Sequence, residues 1–104
     1  ISESDTVYIP YNEFLDAYNF TEVVNSIYPN IKLTSLPPTN GPSETIKLCI
    51  NRFNITGKIV LLDGDTWYEE DIISKVRESK NNLSAYFNST RPEPLFSYLR
   101  LNII

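Results

Sequence analysis

Apolar and polar positions along the chain fall into short alternating or continuous runs separated by stretches with helical spacing. Val7-Tyr8-Ile9 is a β-prone run halted by Pro10, and Phe14, Leu15 and Tyr18 follow at the three-to-four-residue spacing of a helix face. Thr21 stands where an N-cap is expected for a second helical stretch, in which Val23, Val24 and Ile27 form one side and Pro29 supplies the stop. Ile31 to Leu36 alternates apolar and polar residues as a half-buried strand does. The loop Pro37-Pro38-Thr39-Asn40-Gly41-Pro42 must be irregular, because Pro fixes φ and removes donors. Ser43 is then the expected cap of a helix lined by Ile46, Cys49, Ile50 and Phe53, with Gly57 beyond its end. Ile59-Val60-Leu61-Leu62 is a continuous apolar run of the kind that suits a central parallel strand buried on both faces. Asp71 to Glu78 carries Ile72, Ile73 and Val76 on one side and predicts a third helix. Leu83 to Phe87 and Leu95 to Leu101 predict two last strands joined by the turn at Arg91-Pro92-Glu93-Pro94. The expected fold is α/β in three layers, a mostly parallel sheet with flanking helices in the order β-α-β-α-β-α-β-β.

Composition changes this picture mainly by exclusion. A chain of 104 residues with 41% hydrophobic positions predicts one modest core, so residues 1–104 are read as a single domain. It contains no His, which removes Ser-His-Asp and Cys-His nucleophiles and the usual zinc sites, and one Cys, which cannot close an internal disulfide. Cys49 lies on an apolar stripe and reads as a small buried hydrophobe. Only three glycines occur, where average usage of about 7% gives roughly seven. Gly41, Gly57 and Gly64 are too far apart for a complete glycine-rich phosphate loop. The net charge of −4, with nine scattered Lys and Arg, argues against a nucleic-acid partner. No apolar run approaches the roughly 18–20 residues of a membrane span, and the N-terminus lacks a signal-peptide pattern, so a soluble, cytoplasmic chain without a membrane partner is expected. Sequons at Asn19, Asn54, Asn82 and Asn88 read as chance products of a chain rich in Asn, Ser and Thr. The absence of Met, with Ile1 first, predicts that the remainder of a larger polypeptide is a partner of these residues.

Two segments carry candidate chemistry. Asp63-Gly64-Asp65 follows the apolar run 59–62, so both carboxylates are expected at a strand's carboxyl end, where open α/β sheets place their ligands. Carboxylates in that position suit Mg²⁺, which takes one or two of them and leaves its other positions to water and phosphate. Gly64 between them leaves room for a ligand beside the backbone. The same three residues also make an ordinary β-turn. Thr39-Asn40-Gly41-Pro42-Ser43-Glu44-Thr45 runs into a helix N-terminus, a place that favours anionic or polar ligands. It also serves as a plain strand-to-helix connection with a cap. Both loops are expected on one edge of the sheet.

A Gly-containing loop leading a helix, then roughly a dozen residues, then a hydrophobic strand ending in Gly64-Asp65, resembles the middle of sugar-phosphate nucleotidyltransferases of the glycosyltransferase-A-like fold. The tail from Asn82 to Leu101, with its proline-bearing turn, is similar to the strands that follow that motif. The resemblance implies that Asp65 coordinates a catalytic Mg²⁺ with support from Asp63. It further implies that Gly41, Ser43, Glu44 and Gly64 lie along a bound nucleotide or nucleotide-sugar. The implied reaction is attack of a sugar 1-phosphate oxygen on the α-phosphate of a nucleotide, with the metal neutralising developing charge. The family's Gly-rich, Arg- and Lys-bearing triphosphate loop has no counterpart here, so the resemblance is to an internal portion. Trp67 either covers the bound sugar or base or packs at the start of the next helix.

Three other readings compete. A haloacid-dehalogenase-type phosphatase needs Thr or Val four residues past its first Asp, and Trp67 stands there. A glycosyltransferase with a DxD metal motif is satisfied by Asp63-Gly64-Asp65. A non-catalytic α/β regulatory or assembly module makes the same two Asp residues turn formers.

Overall fold

The computed structural model describes residues 5–64, 66–84, 90 and 92. Two strands, one 3₁₀ helix and three α-helices follow one another: β1 (Tyr8–Asn12), the 3₁₀ helix (Glu13–Tyr18), α1 (Phe20–Ile27), β2 (Lys32–Leu36), α2 (Pro42–Phe53) and α3 (Ile72–Glu78). Contacts divide the chain into two compact units, Ile1–Leu61 and Leu62–Ile104.

In the first unit β1 and β2 pair in parallel, with Tyr8 opposite Lys32, Tyr11 opposite Ser35 and Asn12 opposite Leu36. A parallel pair needs a crossover, and the 3₁₀ helix with α1 provides it. Alternation along the strands then sends side chains to two faces. Thr34 and Leu36 are buried on one of them, and Arg52 of α2 reaches Thr34 there. Tyr8 lies on that same face, its ring 5.0 Å from that of Phe53 of α2. Tyr11 and Ser35 lie on the other face, where Phe20 of α1 packs its ring 4.7 Å from Tyr11. The sheet is thus covered on both sides. Among the described residues the buried hydrophobic core is small, consisting of Leu36 and Cys49.

Helix ends differ in detail from what the residues predict. Asn19, in the left-handed region at φ 55°, closes the 3₁₀ helix and opens α1, so Thr21 is inside the helix and is not its cap. At α2 the first helical residue is Pro42, whose missing N–H costs nothing at that position. Gly41 is the N-cap in place of Ser43. Its φ of 155° is a conformation that L side chains rarely adopt, and here glycine is required. Asn54, at φ 53°, ends α2 by donating its N–H to the Ile50 carbonyl. In the second unit Asp71 caps α3, accepting the Ser74 N–H at 3.1 Å and the Ser74 hydroxyl at 2.8 Å.

The four-stranded, three-layer sheet does not form: among the described residues there are two parallel strands. Ile59-Val60-Leu61-Leu62 has no regular secondary structure, and Ile59, Leu61 and Leu62 are 41%, 60% and 50% exposed. An apolar run becomes a central strand only where a neighbouring edge takes up its N–H and C=O groups, and the ladder here stops at β1 and β2. Leu83 and Ser84 are likewise irregular. Residues 85–87 and the expected strand from Leu95 to Leu101 lie outside the described residues.

Candidate functional site

The carboxyl ends of β1 and β2 converge on one edge of the first unit. An open cleft of about 110 Å³ lies there, lined by Pro10, Tyr11 and Asn12 from β1, by Leu36 at the end of β2 and Pro37 to Thr39 after it, and by Thr45 from the first turn of α2. Its position follows from the chain: parallel strands end on the same side, and the loop from β2 to α2 must leave from that side. Gly41, Ser43 and Glu44 border this loop, as expected for a segment leading a helix from a parallel strand.

The loop closes on itself. Thr39 Oγ1 and Thr45 Oγ1 share a hydrogen bond at 2.7 Å, and both hydroxyls are within 3.2 Å of the Gly41 carbonyl. Glu44 folds back so that its carboxylate accepts the Asn40 N–H at 3.2 Å. An acid in the first turn complements the positive end of the helix dipole, so α2 meets its own carboxylate where an anionic ligand was expected. Glu44 therefore has a structural partner already.

Beside the cleft lies a polar cluster that the residue pattern did not single out. Tyr11 donates its hydroxyl to Asp16 Oδ1 and Ser35 donates to Asp16 Oδ2, each at 2.6 Å. Thr21 Oγ1 is 2.8 Å from the Tyr11 oxygen. Tyr11 has one proton and gives it to Asp16, so Thr21 must be the donor in that contact. The next link runs through the Ser35 backbone: Arg52 Nη1 donates to the Ser35 carbonyl and to Thr34 Oγ1, both at 2.8 Å. Asp16 thus ties the 3₁₀ helix to the ends of both strands, Thr21 joins α1 to β1 through Tyr11, and Arg52 ties α2 to β2.

The Ser35 hydroxyl, then that of Tyr11, holds the Asp16 carboxyl below its usual range against a smaller opposing effect of desolvation. Both hydrogen bonds favour the ionised form. The folded chain therefore binds fewer protons at Asp16 than the unfolded chain. This contribution to stability is complete above the ordinary Asp value of about 3.9 and is lost as pH falls through the lowered folded value. We expect the urea midpoint of the first unit to fall on acidification across that window, and the fall to be shallower in Asp16→Asn. Parallel acid profiles for the two proteins would show that these hydrogen bonds leave stability untouched.

The acidic turn belongs to the second unit. Asp63 is exposed, and its backbone carbonyl accepts the Thr66 N–H at 3.4 Å. Its carboxylate makes no hydrogen bond among the described residues. Gly64 is exposed, with no atom within 4 Å of where a Cβ would stand, so packing does not demand glycine there. Asp65 lies outside the described residues. Among the described residues no three acidic, Cys or His side chains gather as a metal-binding group. Trp67 is exposed and does not start the next helix, which begins at Ile72.

No family model matches the chain, and neither a curated protein nor a solved structure does. Among the described residues no helix is long and apolar enough to cross a membrane.

Proposed function

We propose that this chain is the nucleotide- or nucleotide-sugar-handling part of a nucleotidyltransferase-like protein, incomplete by itself. The observation that carries the reading is the parallel β1–β2 pair, whose carboxyl edge opens into a cleft bordered by the loop that leads into α2. Ligands of α/β sheets bind at such edges. Tyr11, Asn12, Thr39 and Thr45 offer this cleft an aromatic ring, an amide and two hydroxyls, groups suited to the neutral parts of a nucleotide or sugar. Ser43 and Gly41 stand beside it at the start of α2. In the second unit the free carboxylate of Asp63, with Asp65 two residues on, is a donor set that fits Mg²⁺. The ion would supply charge neutralisation at phosphate oxygens. The reading carries with it the cytoplasm, where nucleoside triphosphates are available, and the rest of a larger polypeptide as the partner that supplies the missing triphosphate loop.

A second reading, a non-catalytic α/β regulatory or assembly module, is favoured by the self-closed loop, in which Glu44 occupies the Asn40 N–H and the two Thr hydroxyls occupy each other. Amide spectra of the whole chain separate the two. With MgCl₂ and then a nucleotide-sugar added, the first reading expects saturable shifts at residues 63–66 and at 39–45, the former abolished in Asp65→Ala. Spectra unchanged by metal, nucleoside triphosphate and nucleotide-sugar would leave the module in its place.

A further inference from the structure

We propose that Asn40-Gly41, in the loop between β2 and α2, is a self-modification site at which the folded chain converts Asn40 to aspartate and isoaspartate, independently of the nucleotide reading. Of the Asn residues in the chain, Asn40 alone is followed by Gly. Asn40 is exposed, and its side-chain amide has no hydrogen bond among the described residues. The Gly41 N–H has none there either, since only the Gly41 carbonyl is engaged, by Thr39 and Thr45. Nothing lies within 4 Å of where a Gly41 Cβ would stand, so that side of the residue is open. Glu44 holds the Asn40 N–H, which belongs to the peptide on the other side of Asn40. Other Asn residues are placed differently. Asn12 accepts the Phe14 N–H through its side chain, and Asn25 and Asn51 stand inside α1 and α2, where the following N–H belongs to the helix ladder.

The reaction needs these two residues and water. The Gly41 nitrogen attacks Asn40 Cγ: the N–Cγ bond forms, the Cγ–Nδ2 bond breaks, and the nitrogen's proton leaves with the side-chain nitrogen as ammonia. A Cβ on the following residue hinders closure of the resulting succinimide, and glycine has none. Water then opens the ring at either carbonyl. Opening at Cγ gives aspartate, and opening at the main-chain carbonyl gives isoaspartate, whose main chain runs through the former side chain and is longer by one methylene. Either product sets a second carboxylate beside Glu44 at the positive end of α2. The added methylene of isoaspartate falls between Thr39 and Thr45, whose hydroxyls share a bond at 2.7 Å and which both line the cleft. Isoaspartate should therefore part the two hydroxyls, where aspartate leaves the main chain unchanged.

The test incubates the full chain at mildly alkaline pH and body temperature, folded and in urea, and follows it by peptide mass mapping, with an isoaspartyl methyltransferase and its methyl donor to mark isoaspartate. The peptide holding Asn40 should gain the mass difference between water and ammonia before any other Asn-containing peptide, and methyl incorporation should map to it. Its rate in the folded chain should stay within a few-fold of the rate in urea, because both reacting groups are already free. A slowing of about tenfold or more on folding would mean that the loop must open first, and would overturn the proposal. Asn40→Gln, whose longer side chain must close a larger ring, should lose both signals at this peptide. In amide spectra the isoaspartate form should shift residues 39–45, and Asn40→Asp should leave Thr39 and Thr45 nearly in place. No mass gain at Asn40, a faster gain at another Asn, or methyl incorporation that persists at this peptide in Asn40→Gln would each overturn the proposal.

Discussion

Leu36→Ala should unfold the first unit or bring it to the edge of unfolding. Leu36 is 3% exposed and, with Cys49, makes up the buried hydrophobic core of the described residues. Truncating a buried Leu to Ala costs about 2–5 kcal/mol through lost transfer energy and the cavity left behind. A unit spanning residues 1–61 has a total stability of roughly 3–9 kcal/mol at the usual 0.05–0.15 kcal/mol per residue. The loss is therefore of the same size as the whole. In a larger domain neighbouring layers would share the strain, but here one side of a two-stranded sheet carries it. Urea denaturation followed by circular dichroism measures the effect, with Phe14→Ala as the comparison. Phe14 is 66% exposed, and its truncation should change stability by no more than about 0.5 kcal/mol. Equal midpoints for the two variants would mean that the core has been misplaced.

The contrast between Leu36 and the run 59–62 shows which parts of the fold the residues express by themselves. β2 was legible as a strand because Ile31-Lys32-Leu33-Thr34 alternates, but the face that is buried is that of Thr34 and Leu36, out of phase with Ile31 and Leu33. α2 and α3 were legible through apolar spacing and through Asp71, which caps as its type predicts. Ile59 to Leu62 misled because a continuous apolar run states that burial is wanted without stating by what. Pairing is a property of two segments, and the partner edge is not written into either. The cluster around Asp16 was hidden for the same reason. Tyr11, Asp16, Thr21 and Ser35 are spread over some two turns of helix and two strands, and only the parallel register that sets Tyr11 opposite Ser35 makes them neighbours. Of the candidate site residues, Gly41, Ser43 and Glu44 fall together at the start of α2, on the expected edge. What could not be read was that Glu44 would turn its carboxylate back onto Asn40. Asp63 and Gly64 belong to the other unit, in an exposed turn and not at the end of a strand.

Arg52→Ala should cost the first unit about 1–3 kcal/mol, out of proportion to the exposure of the side chain itself. The reason lies with its partners. Arg52 Nη1 is the donor for both Thr34 Oγ1 and the Ser35 carbonyl, and Thr34 is 6% exposed. Removing the guanidinium leaves a buried hydroxyl without that donor, and desolvating an unmatched polar atom costs more than an exposed hydrogen bond ordinarily contributes. If this is the cause, the penalty should depend on the hydroxyl. In a Thr34→Val background the valine has no acceptor to leave unmatched, and Arg52→Ala should then cost only the bond to the Ser35 carbonyl. The four proteins form a double-mutant cycle with an expected coupling of about 1 kcal/mol between the two side chains. Zero coupling would mean that Arg52 acts through the Ser35 carbonyl or through packing of its stem along the sheet. A positive result would place the polar link between α2 and β2 in a single guanidinium, a bond that a unit with so few buried hydrophobic residues has little else to replace.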